Sequence, residues 1–201
     1  MEALAELFTQ EFKLCEIGPG QSVAVLSEGD VLREYAETSL SVASALGARV
    51  IDVNLDVAQT MDASERIANV GKNPLSEHPK SLRQCCYADI VIDHMLLLFS
   101  REQIAMQEAG ARVLLVVEPS EILERLLPDP SVRKRVEAAE RRLGNAGEMR
   151  FTNDAGTDVT YKLADKSILT EYGYTVTPGR WDHWPGGFIA TLAADNGVNG
   201  R

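Results

Sequence analysis

The sequence predicts an α/β chain: a parallel-sheet domain first, then the start of a second, β-rich α+β domain. Three observations predict it. Short apolar runs alternate with helix-patterned segments through Leu127, the order that builds a parallel sheet with crossover helices. Composition then shifts at Gly144-Asn145-Ala146-Gly147. Beyond that point two strand-like runs flank Asp154-Ala155-Gly156, a hairpin signature. The expected domains are therefore residues 1–146 and 147–201.

Residues 1–17 place Leu4, Leu7, Phe8, Phe12 and Ile17 near one helical face. Gly18-Pro19-Gly20 stops that helix. Ser22–Ser27 reads as a strand, and Asp30 as the N-cap of a helix over Val31–Leu46. Arg49–Leu55 is the second strand. Residues 56–80 are polar and irregular, with a short helix expected at Ala63–Val70. Ala88–Leu98 has the long apolar character of a buried parallel strand. A helix over Arg101–Ala109 and a strand at Arg112–Val117 follow. Pro119 opens a helix through Leu127, and residues 131–143 form a charged helix. Glu148–Asn153 and Asp158–Leu163 are the hairpin strands. Trp181–Leu192 reads as one extended stretch whose pairing strands are expected beyond Arg201. The chain from about Asp165 onward is accordingly expected to lack order on its own.

Bulk properties narrow the function. The 201 residues carry a net charge of −10, with 45% hydrophobic and 25% charged residues. An acidic surface argues against a nucleic-acid partner, because phosphate binding needs basic groups. Apolar runs such as Met95–Phe99 and Val113–Val117 fall far short of the ~20 residues that span a bilayer. The N-terminus is acidic and amphipathic, unlike a secretory signal, so a cytoplasmic protein is expected. Cys15, Cys85 and Cys86 include no C-x-x-C pair and read as buried reduced thiols.

The chemistry concentrates in Trp181-Asp182-His183-Trp184-Pro185. Histidine is the side chain suited to moving protons near neutral pH. Flanking indoles stack on planar rings. His183 is therefore the candidate acid–base group, with Trp181, Asp182 and Trp184 as candidate substrate contacts. Glu171 is a second candidate acid or base, and Tyr172 or Tyr174 a candidate hydrogen-bond donor. The competing reading puts Trp181 and Trp184 in the core and His183 at an interface. Elsewhere, Asp93-His94 inside the third strand reads as structural and His78 as a solvated loop residue. The Glu28-Gly29-Asp30 turn reads as a plain βα turn, since its two acids would repel phosphate. Only three histidines are present, with no H-x-x-x-H, so no metal ligand is assigned within the chain.

The segment Phe151–Phe188, together with GPGQSVAVLSE and DHMLLLFSREQ, resembles the 2,5-dihydroxypyridine 5,6-dioxygenases, ring-cleaving enzymes of nicotinate degradation. That family is related in fold to the aminopeptidase T-like leucyl aminopeptidases. The wider group shares the G-T-D-[LV]-T string found here at Gly156–Thr160. The peptidases carry a metal-binding glutamate after the hairpin, where this chain has Pro185-Gly186-Gly187-Phe188. The W-D-H-W-P-x-G-F form resembles the dioxygenase branch. The resemblance covers the first part of the family's length. It implies a Fe(II) cofactor whose two histidine ligands and one aspartate ligand lie beyond Arg201, a small aromatic N-heterocycle and O2 as reactants, and a homo-oligomer. By motif position it implies His183 as the proton-transfer or substrate-orienting residue with Glu171 as its companion. The chain alone is expected to show little turnover. A metallo-aminopeptidase and a non-catalytic binding paralogue are the alternatives.

Overall fold

The structure is a computed structural model that describes residues 2–55, 74–163, 168–191 and 193–200. The short helix expected at Ala63–Val70 lies outside the described residues. The described chain forms two compact units. One contains residues 1–128 and 173–186, and the other residues 129–172 and 187–201.

The first unit is built on a five-stranded sheet, in the order β2-β1-β3-β4-β8. Its strands are β1 (Ser22–Glu28), β2 (Arg49–Leu55), β3 (Ile90–Asp93), β4 (Arg112–Val116) and β8 (Trp181–Trp184), all parallel to their neighbours. Every residue of β1, β3 and β4 is buried, which is why they read as unbroken apolar runs. Helix α1 (Glu2–Leu14) buries Leu4, Leu7, Phe8 and Phe12 along one stripe. The other helices described in this unit are α2 (Arg33–Ala45), α3 (Pro79–Cys86), α4 (Arg101–Glu108) and α5 (Ser120–Arg125), with a 3-10 turn at Pro74–Glu77.

The second unit contains helix α6 (Pro130–Gly144), the hairpin β5 (Glu148–Thr152) and β6 (Asp158–Lys162), and β7 (Ile168–Glu171), β9 (Phe188–Thr191) and β10 (Val198–Gly200). Its sheets are antiparallel, β10-β6-β5 and β7-β9. Asp129 caps α6 by accepting from the Ser131 amide at 2.6 Å. The hairpin sits where the sequence places it. A parallel-sheet α/β part with a β-rich part after it is the predicted class.

Four expectations are corrected. The third strand ends at Asp93 rather than Leu98. The Asp93 carboxylate accepts from the amides of Met95 at 2.7 Å and Leu97 at 2.9 Å, and these local bonds turn the chain out of the sheet. Helix α2 is not capped by Asp30; Leu32 holds the cap position at φ 50° with no side-chain cap bond. The stretch from Trp181 is not one strand awaiting partners beyond Arg201. Trp181–Trp184 pairs with β4 and Phe188–Thr191 with β7, with Gly187 at φ 108° between them. In the stretch expected to lack order, Trp181–Trp184 and Phe188–Thr191 thus find their partners in β4 and β7. Finally, the two units differ from a single cut after residue 146. Helix α6 packs on β7 and β9 and so falls in the second unit, while β8 completes the first unit's sheet.

Candidate active site

Strand β8 closes one side of the parallel sheet, in register with Val113–Val116 of β4. Side chains alternate across a strand, so W-D-H-W divides into two pairs. Trp181 and His183 share one face, their rings stacked at 6.4 Å between centroids and 24° between planes. Asp182 and Trp184 share the other.

Trp184 is fully buried. Its indole meets the ring of Phe8 edge-on at 5.3 Å, and Phe8 in turn packs on Phe12, Tyr35 and His94. Asp182 is fully buried as well. One of its oxygens accepts from the Gly173 amide at 2.8 Å and the His183 amide at 3.0 Å. The other accepts from Arg180 Nη2 at 2.8 Å and Nε at 3.1 Å. Asp182 and Trp184, candidate substrate contacts by sequence, are thus both held in the interior of the first unit. Trp184 anchors β8 to the core, and Asp182 ties the strand to the turn at Gly173.

His183 is the half-buried member of the string, its side chain 20% exposed and its Nε2 atom turned inward. Its Nε2 lies 3.6 Å from Glu118 Oε1, just past the end of β4. His183 and Glu118 thus stand toward the carboxyl ends of adjacent parallel strands, the side of open α/β sheets where ligands bind. Behind His183, Trp181 is buried and also faces the exposed ring of Phe99, at 6.4 Å and 41°. Neither Glu118 nor Phe99 stands out in sequence, since no local motif marks them. Only the pairing of β8 with β4 and the turn after β3 bring them to His183 and Trp181.

Glu171 lies in the second unit, buried on β7, where its carbonyl accepts from the Gly187 amide at 2.8 Å. Tyr172 and Tyr174 are buried too, and Arg133 lies over the Tyr172 ring at 5.2 Å. His94 is structural, as its sequence setting suggests. It is fully buried, with Nδ1 2.7 Å from the Val116 carbonyl and Nε2 3.1 Å from Ser39 Oγ. Burial pushes its imidazole down to about 4, so it is neutral at pH 7. Nδ1–H then donates to Val116, and Ser39 donates to Nε2.

A second buried acid lies in the same unit. Glu11 of α1 is fully buried, and Cys15 Sγ donates to its Oε1 at 3.6 Å. Burial holds the Glu11 carboxyl well above the usual carboxylate range, and the charge of Asp182 pushes the same way. Burial likewise raises the Cys15 thiol, so it is an unreactive packing group rather than a nucleophile.

The family resemblance implies a metal cofactor. Among the described residues no group of three or more His, Cys, Asp or Glu side chains could hold a metal ion. The described residues do not by themselves fit an Fe(II) site.

The family model for 2,5-dihydroxypyridine 5,6-dioxygenase (NicX) matches residues 3–201. The 2,5-dihydroxypyridine 5,6-dioxygenase of Pseudomonas putida KT2440 is 36% identical over 199 residues, which are 98% of this chain and 57% of the relative. The solved structure of the dihydroxypyridine dioxygenase from that organism superposes with a TM-score of 0.88 at 35% identity, again over 98% of this chain and 57% of that one. AmpT from Thermus thermophilus superposes with a TM-score of 0.54 at 13% identity, covering 98% of this chain and 63% of its own, a likeness of fold alone. The chain thus spans a little over half the length of the dioxygenase it matches. With the family model matched along nearly its whole length, this chain belongs to the 2,5-dihydroxypyridine 5,6-dioxygenase family.

Proposed function

We propose that this chain supplies the ring-binding and proton-transfer side of a Fe(II)-dependent dioxygenase that opens 2,5-dihydroxypyridine between C5 and C6 to give N-formylmaleamate. The observation that carries the reading is His183 itself. It is stacked on Trp181 and set 3.6 Å from Glu118, in a chain matched to this family over residues 3–201. In this reading the His183 imidazole takes a hydroxyl proton from the bound ring. The imidazolium so formed lies beside Glu118, whose Oε1 is 3.6 Å from the ring. The deprotonated ring is richer in electrons and therefore more open to oxygen. Trp181 orients the ring plane by fixing the His183 ring. Glu171 is the companion acid or base of the same reading.

Fe(II) is proposed to come with ligands from outside these 201 residues. The reactants are a small aromatic N-heterocycle and O2, and the protein is taken to be a cytoplasmic homo-oligomer with neither nucleic acid nor membrane as partner. The net charge of −10 supports the first exclusion. Among the described residues no helix is long and apolar enough to cross a membrane.

The test is a titration of the 201-residue chain with 2,5-dihydroxypyridine under anaerobic conditions, read by tryptophan fluorescence and by the ligand's ultraviolet spectrum. Saturable quenching with a shift toward the ionised ring is the expected result. Binding with no ionisation would favour a non-catalytic binding protein. Absence of binding rejects the reading.

A further inference from the structure

We infer that Phe99 is a specificity-determining residue of the proposed site, an aromatic wall that selects planar heteroaromatic rings. The inference rests on the dihydroxypyridine reading above and adds to it a residue on a different loop.

Phe99 is an anomaly in its setting. Its side chain is 59% exposed while its neighbours Leu97 and Ser100 are buried. Its backbone sits at φ 60°, a left-handed conformation that bulky side chains rarely adopt. Such strain persists only where surrounding structure imposes it. Here the imposing contacts are visible. The Phe99 amide donates to Gln103 Oε1 at 2.9 Å, the Ser100 amide donates to the Leu97 carbonyl at 2.8 Å, and Ser100 Oγ caps α4 through the Gln103 amide. A glycine would satisfy this backbone without strain. Folding therefore does not account for a phenylalanine here, and the exposed ring gains little from burial.

The ring's position suggests its use. Phe99 faces Trp181, and Trp181 stacks on His183, so the three form a row with one exposed aromatic end and one titratable end. A flat ring stacked on the exposed face of Phe99 lies beside Trp181, whose other ring neighbour is His183. A saturated ring of the same size offers no such stacking. The row thus discriminates by planarity, since aromatic pairs gain beyond their buried area.

The experiment compares Phe99→Ala, Phe99→Gly and Phe99→Tyr with the unaltered 201-residue chain. Each is titrated with 2,5-dihydroxypyridine and with a saturated dihydroxypiperidine, and its thermal midpoint is measured alongside. Phe99→Ala and Phe99→Gly are expected to bind the aromatic ligand roughly three- to tenfold more weakly. Phe99→Tyr is expected to bind normally, affinity for the saturated ligand to stay unchanged, and the midpoint not to fall. Unaltered aromatic affinity in Phe99→Ala and Phe99→Gly overturns the inference and leaves the dihydroxypyridine reading standing. Equal losses for both ligands overturn it too, since they indicate a structural role. If the unaltered chain itself binds no dihydroxypyridine, the underlying reading fails and this inference falls with it.

Discussion

His183 and Trp184 are adjacent and do opposite work. His183 turns toward Glu118 and is half-buried, whereas Trp184 sits wholly inside against Phe8. Replacing them should separate chemistry from packing. His183→Ala removes the proton acceptor without opening the core. It is expected to keep dihydroxypyridine affinity within about tenfold, the ~0.5–1.5 kcal/mol scale of a single ring contact. The ultraviolet signature of ring ionisation should be lost. Full ionisation in the variant would remove His183 from the proposed role. Trp184→Ala leaves a cavity under β8 and is expected to cost about 3–5 kcal/mol of stability, read as a lower urea midpoint by circular dichroism. Glu11 gives a pH test. Its folded-state pKa is raised by burial, so the neutral carboxyl is the form the fold prefers. That contribution is complete below the ordinary carboxylate range and is lost as pH rises toward the raised value. Glu11→Gln keeps the neutral shape at every pH. The thermal midpoint of Glu11→Gln minus that of the unaltered chain should therefore grow from pH 4.5 to pH 8, and a constant difference would count against a neutral Glu11.

At the level of elements, periodicity and turn chemistry were legible where they act locally. The α1 stripe, the buried runs of β1 and β4, and the hairpin around Asp154-Ala155-Gly156 can all be read from the residues. Elements governed by distant contacts were not legible. Ala88–Leu98 looks like one strand because Met95 and Leu97 are apolar. Both are buried, but in a turn that Asp93 organises through two amides. Likewise Trp181–Leu192 shows no sign that its two halves pair with different sheets. Of the candidate site, His183 and Trp181 were recognisable from composition, while Glu118 and Phe99 required the β4–β8 pairing and the left-handed turn after β3. Gly173 shows how tightly that arrangement is held. It sits at φ 98°, its amide serves Asp182, and an added Cβ would lie 3.0 Å from Pro128 Cβ and 3.2 Å from the Gly186 amide nitrogen. Gly173→Ala is expected to destabilise the first unit by about 1–3 kcal/mol from backbone strain, with the clash adding to it. Tryptophan emission should shift to the red as β8 loosens. An unshifted spectrum and midpoint would show that the turn adapts.

For the whole molecule, the two compact units are interleaved along the chain rather than laid end to end. Residues 173–186 return to the first unit after the second has begun, and they bring β8 and Trp184 with them. A cut at the composition shift near residue 146 therefore does not isolate a complete unit. A fragment of residues 1–146 keeps β1 to β4 but loses the strand beside β4, the indole on Phe8, and the Thr175 carbonyl that accepts from Arg112 Nη1 at 2.9 Å. The buried guanidinium of Arg112 would lose one of its acceptors, and β4 would become an unpaired apolar edge. Exposed edges of this kind promote association, and a buried charge stripped of a partner is costly. The fragment is expected to lack a cooperative thermal transition, to bind a hydrophobic dye and to associate at micromolar concentration, whereas residues 1–201 should unfold cooperatively as a soluble species. Calorimetry and size-exclusion chromatography on the two proteins side by side decide the matter. A sharp monomeric transition for residues 1–146 would mean that the parallel sheet is complete without Trp181–Trp184, and that the candidate site is an appendage to the first unit rather than its closing strand.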